Sequence, residues 1–182
     1  GMANNATNVR AFFWTQDAGI RDLGTLPGDN AGVALGMNDN DDVVGYSSGP
    51  TGVRAVVWRH AAKIEALPLA PGSRFSRASA INNAGQIVGE CETGGARRAF
   101  LWTREQGARD LGILSGYSQS TAILINDNGD VVGSSTGAGG TRAFLWEQGS
   151  IQAIGGIASR TFSQALGINK AGEVGGTVHN SS

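Results

Sequence analysis

The residues best suited to chemistry are the oxygen-rich run Asn38-Asp39-Asn40-Asp41-Asp42 and its echo Asn126-Asp127-Asn128-Gly129-Asp130. Alternating oxygen ligands in a short loop are the raw material of a calcium site. The glutamate that closes an EF-hand is missing, and the corresponding loops Asn82–Gln86 and Asn169–Glu173 have lost most of the carboxylates. Tight turns need Asn, Asp and Gly at such places for backbone reasons alone, so turn chemistry is the expectation and no metal site is assigned. The two histidines, His60 and His179, have no recurring nucleophile or carboxylate partner. Cys91 lies between Glu90 and Glu92, carboxylates that would raise a thiol's pKa and so work against a reactive thiolate. His-Glu-x-x-His and a lysine-bearing phosphate loop are absent, and no Gly-x-Ser-x-Gly stretch is followed by the helical pattern that a nucleophile elbow needs. No catalytic residue and no cofactor are expected.

The elements that position these residues are written four times. RAFFW at Arg10–Trp14, RAVVW at Arg54–Trp58, and RAFLW at both Arg98–Trp102 and Arg142–Trp146 begin at 10, 54, 98 and 142, a spacing of 44. A second marker keeps the rhythm: GMNDNDDVVG (Gly36–Gly45), AINNAGQIVG (Ala80–Gly89), LINDNGDVVG (Leu124–Gly133) and GINKAGEVGG (Gly167–Gly176). Its asparagines stand at 38, 82, 126 and 169, so the last unit is one residue short. All four tryptophans of the chain belong to the period. A fixed period of this length signals a repeat architecture.

One unit reads as four short strands. Ser76–Asn82 and Gln86–Gly89 flank an Asn-Ala-Gly turn, and Arg98–Thr103 and Ala108–Leu114 follow after Gly-bearing loops. No apolar period of 3.6 residues runs long enough for a helix. In Arg98–Trp102, Ala99 and Leu101 face one side of the sheet and Phe100 and Trp102 the other. Both faces are apolar, so each sheet must be covered on both sides. Face-to-face repetition of four-stranded sheets is the β-propeller arrangement. The chain opens on a third strand (Arg10–Thr15) and a fourth (Ile20–Leu26), and closes on a first (Gln164–Asn169) and a second (Glu173–Val178). The expected fold is therefore all-β. It is a four-bladed propeller of four-stranded antiparallel blades, one domain over residues 1–182, its ring closed by joining the two half-blades. A strand-swapped dimer making an eight-bladed ring is the alternative. First strands carry small residues, which suits the crowded axis, so the Asp-Leu-Gly strand is outermost.

The unit R-A-F-[FL]-W … D-L-G-x-L … S-x-A-x-x-I-N-x-x-G-x-V-V-G resembles the HAF repeat of probable extracellular bacterial proteins. Arg here replaces the naming His in all four copies, and Ala153-Ile154-Gly155 stands where Asp-Leu-Gly is expected. The resemblance implies a secreted or surface-exposed repeat protein and no reaction.

Composition narrows the partners. Formal charge is −1 with no long basic run, which speaks against nucleic acid or capture on an anionic membrane. No stretch is long and apolar enough to span a bilayer as a helix, and one cysteine gives no disulfide framework. The repeated arginines, asparagines and tryptophans read as architecture: stacking or carbonyl-bonding groups, turn locks and inter-blade core. Function is then expected where the copies disagree, on the outer-to-inner crossings that should emerge together on one face of the ring. These supply Asp29, Arg74, Phe75, Tyr117, Arg160 and Phe162, a set suited to an unknown protein or carbohydrate ligand. An enzyme, a hydrolase or lyase, would have to rest on Asp29, the one carboxylate placed at the axial mouth; a purely structural repeat segment of a larger array is the remaining alternative.

Overall fold

The computed structural model describes residues 9–69, 73–155 and 162–180. Sixteen strands and no helix are found among them. In chain order they are β1 (Phe12–Thr15), β2 (Gly19–Asp22), β3 (Ala31–Met37), β4 (Val43–Gly49), β5 (Gly52–Arg59), β6 (Lys63–Ala66), β7 (Ser76–Ile81) and β8 (Ile87–Thr93). There follow β9 (Ala96–Thr103), β10 (Gly107–Asp110), β11 (Gln119–Ile125), β12 (Val131–Gly137), β13 (Gly140–Glu147), β14 (Ser150–Ala153), β15 (Phe162–Ile168) and β16 (Val174–His179).

They form three four-stranded antiparallel meanders, β3–β6, β7–β10 and β11–β14, flanked by the two-stranded sheets β1–β2 and β15–β16. None of these sheets closes on itself. The first strands of successive sheets meet, β3 against β7, β7 against β11 and β11 against β15. The expected Ala108–Leu114 strand stops at Asp110, where the Asp110 carboxylate turns forward to accept the Gly112 amide at 2.8 Å. Leu111 and Leu114 remain in the core from an irregular segment. The missing residue of the last unit is lost from the β13–β14 turn, where Glu147 pairs with Ser150 while its counterpart Thr103 pairs with Gly107.

The core lies between sheets. Ala11, Leu23 and Leu26 pack on Val43, Val56 and Trp58; Val57 and Leu67 pack on Ile81, Phe100 and Trp102; Leu101, Leu111 and Leu114 pack on Val131, Phe144 and Trp146. Val132 and Ala143 meet Ala165 in the same way. Ala99 to Trp102 are all buried, as two covered faces require, and each large apolar side chain so buried contributes roughly 1.5–3 kcal/mol. A 44-residue unit alone has no second layer to bury against; its neighbours supply it.

One difference from expectation sits at the ends. β1–β2 and β15–β16 stand as separate sheets, and the described residues contain no pairing of β1 with β16.

Candidate functional site

Two edges of the sheets carry the irregular chain. On one, the crossing segments meet the β4–β5, β8–β9 and β12–β13 hairpin tips; on the other lie the Asn turns.

The Asn turns are built by the residue that heads them. Asn38 Oδ1 accepts the amides of Asn40 and Asp42 at 3.1 and 3.0 Å, and Asn126 Oδ1 those of Asn128 and Asp130 at 3.0 and 2.9 Å. The other side of each amide reaches the next sheet. Asn38 Nδ2 donates to the Asn82 carbonyl at 3.0 Å, Asn82 Nδ2 to that of Asn126 at 3.0 Å, and Asn126 Nδ2 to that of Asn169 at 3.1 Å. One side chain thus locks its own turn and ties it to the following repeat. A second ladder of serines does the same work in the sheets: Ser76, Ser120 and Ser163 hydroxyls accept the Ala55, Ala99 and Ala143 amides of the preceding sheet at 2.9, 3.0 and 2.9 Å. Sequence reasoning saw the asparagines as turn locks and missed the bridging half of their role. The signal was there in the 44-residue recurrence of both Ser and Asn, two groups able to bond two partners each.

Two carboxylates of the oxygen-rich run, Asp39 and Asp42, are committed within this framework. Asp42 accepts Arg59 at 2.7 Å and the His60 amide at 2.9 Å, and Asp39 accepts Asn83 Nδ2 at 2.7 Å. Beside the turns, a groove of about 630 Å³ between β7–β10 and β11–β14 is lined by Gln86, Arg109, Asn128, Asp130, Trp146 and Glu147, among others. A smaller one of about 370 Å³, lined by Arg59, Gln86, Thr103 and Arg104 among others, occupies the same position one repeat earlier. These grooves follow from the packing step, and nothing in the sequence alone marked them.

The crossing edge holds the expected ligand-binding residues. Asp29 is packed against Gly49; its side chain is 1 % exposed, ion-paired with Arg54 at 2.8 Å and accepting the Ser47 hydroxyl at 2.6 Å. Arg74 is exposed, and its carbonyl accepts the Val53 amide at 2.9 Å. Phe75 forms an isolated parallel bridge with Val53, half-buried beneath Arg97, whose guanidinium lies 4.3 Å from the ring centroid. Tyr117 packs, partly buried, against the core cluster between β7–β10 and β11–β14. Phe162 stacks on His179 with centroids 5.1 Å apart. Arg160 lies outside the described residues.

Around Phe75 the edge concentrates charge. The buried Glu90 carboxylate pairs with Arg77 at 2.8 Å and with Arg97 at 3.4 Å, and accepts the Thr121 hydroxyl at 2.9 Å. Glu92 faces Arg97 across the β8–β9 ladder. Arg77 and Arg97 keep parts of their side chains at the surface, next to the chain that carries Arg74. Glu90, Arg77 and Arg97 are absent from the repeat consensus, and the comparison of crossing segments alone did not reach them because they sit on strands.

The repeated arginines find anchors nearby. Arg10 and Arg98 pair with Asp22 and Asp110 at 2.7 and 2.9 Å. Arg142, whose unit lacks that aspartate, donates to the Gly155 carbonyl at 2.8 Å. The Arg10 guanidinium, followed by the Gly24 amide, holds the Asp22 carboxyl below its usual value; Lys63 does the same to Glu65.

No protein-family model and no curated protein matches the chain.

Proposed function

We propose that the chain is a β-propeller-type interaction module, secreted or exposed at a cell surface, that binds a protein or glycan carrying anionic groups through its crossing edge. Its sheets are the blades, and the composite of β15–β16 with β1–β2 completes the ring. The observation that carries the binding reading is the group of Arg74, Arg77 and Arg97 around Phe75 and the buried Glu90. Glu90 and Phe75 hold the two strand arginines in place, which lowers the ordering cost of a ligand contact. Guanidinium groups present forked donors to carboxylate, sulfate or phosphate, and aromatic and Arg side chains are the residues that dominate binding surfaces. The resemblance to the HAF repeat supports the extracellular setting. The catalytic alternative rests on Asp29, whose carboxylate is already engaged by Arg54 and Ser47; that engagement favours the binding reading.

An array of sulfated and carboxylated glycans, with an acidic peptide library beside it, tests the proposal. Binding is expected to weaken about tenfold or more with Arg74→Ala and with Arg97→Ala, since losing one charge-assisted contact costs about 1.5–3 kcal/mol. Arg74 is exposed, so its variant leaves the fold intact. Binding unaffected by both substitutions, or no anionic ligand at all, overturns the reading.

A further inference from the structure

The exposed apolar side chains of this protein are not scattered. Phe12, Trp14 and Ile20 lie on β1–β2, Leu35 and Met37 on β3, and Leu166 on β15. For Phe12, Trp14 and Met37 repeat equivalents are buried, so these are core positions without their cover. Trp14 is 58 % exposed, whereas Trp58 is 0 % and Trp102 and Trp146 are each 7 % exposed. Phe12 stands where Val56, Phe100 and Phe144 are buried, and Met37 where Ile81 is buried.

The missing cover can be read from the same comparison. Trp58 sits among Ala11, Leu23 and Leu26, Trp102 among Ala55, Val57 and Leu67, and Trp146 among Ala99, Leu101 and Leu111. One repeat earlier in the cycle, the matching seat for Trp14 is Ala143, Leu145 and Ile154, and there Leu145 and Ile154 are only partly buried. The strand edge matches as well. In β12–β13, Val131 pairs with Trp146 and Gly133 with Phe144; the same register moved on by one repeat pairs Val174 with Trp14 and Gly176 with Phe12. The asparagine ladder stops at the same place: Asn82 and Asn126 bond a side chain of their own turn and a carbonyl of the next repeat, whereas among the described residues Asn169 Nδ2 has only the first of these, to Glu173 at 2.7 Å. Each end of the chain therefore lacks what the other end carries.

We infer that a second copy of this chain supplies the cover: β16 of each copy pairs with β1 of the other, so that two chains close one ring of six complete and two composite sheets. The inference rests on the composite-sheet reading above and adds that the junction lies between chains. Three successive steps, each made with the same Asn and Ser bonds, leave β16 and β1 of one chain unpaired. Self-pairing would have to break that regular step, and a twin would not. A head-to-tail contact used twice about a two-fold axis closes, leaving no open edge to recruit further strands.

Light scattering across micromolar concentrations, with amide hydrogen exchange on the same samples, tests this. The unmodified chain is expected at twice its own mass, with β1 and β16 amides protected. Trp14→Asp is expected to shift it to a monomer with an unchanged far-UV spectrum and unprotected β1 and β16, because the side chain is exposed in the single chain. Ile20→Asp, on the same face, is expected to do likewise, and covers the case of a Trp14 variant that fails to fold. A monomer with β1 and β16 protected upholds the composite sheet and overturns the second copy. A monomer with both unprotected overturns the two together, and a ladder of growing oligomers overturns the closed pair.

Discussion

Asn82 is the residue on which most of the architecture converges. Its Oδ1 accepts the Gln86 amide at 2.9 Å and its Nδ2 donates to Asn126 across the gap between sheets. Asn82→Ala leaves the buried Asn126 carbonyl and the half-buried Gln86 amide without these partners, and is expected to cost about 1–3 kcal/mol for the buried group. The check is urea unfolding, in which the midpoint falls; an unchanged midpoint would mean the ladder adds nothing. Asp22 gives a pH signature. Its folded pKa is depressed below the ordinary 3.8 by Arg10 and Gly24, so its contribution to stability is present above about pH 4 and is lost as pH falls through the lower folded value. Carboxyl chemical shifts followed by pH should place the Asp22 midpoint below 3.8, moving back toward it in Arg10→Ala. At this scale the sequence was partly legible. Recurrence identified Asn, Arg and Trp as structural, but the second partner of each Asn and the packing partners of each buried Trp lie one repeat away, and a single unit read alone hides them.

The strands show why each second strand of the repeat keeps a glycine as its third residue. Each first strand carries a bulge, at Ala34/Gly36, Ala78/Ala80, Ala122/Leu124 and Ala165/Gly167. The bulge pushes a backbone carbonyl toward the second strand, and a Cβ on Gly89 would run into the Arg77 carbonyl oxygen. Gly45, Gly133 and Gly176 face Val33, Thr121 and Gln164 in the same way. Gly89→Ala is expected to destabilise by about 1–3 kcal/mol through overpacking against rigid backbone, measured by thermal unfolding; a shift below about 1 °C would show that the strand yields. Strand order and hairpin turns were legible from alternation and Gly/Asn placement. The bulge was not, since it changes register without changing residue type, and the early end of β10 depended on Asp110 bonding forward to Gly112.

For the molecule as a whole, the interfaces between sheets hold nearly all of the apolar burial, so their loss should scale with position in the array. Trp58→Ala, in an intact interface, is expected to cost about 3–5 kcal/mol at any protein concentration. Trp14→Ala is expected to act chiefly through association, so its effect on the unfolding midpoint should shrink on dilution; equal, concentration-independent losses would contradict this. The sequence showed that half-units stood at both ends and that both sheet faces needed cover. It could not show how many steps of the packing angle close a ring, because that angle is set by the sum of many small contacts. The central claim is that the two end sheets are halves of one, joined in the register of β12–β13. A disulfide between Arg10→Cys and Val178→Cys, the pair matching Arg142 and Ser135, tests it most directly. The account predicts rapid cross-linking under mild oxidation, linking two chains on a non-reducing gel, with the fold retained. Failure to cross-link in the folded protein would contradict it.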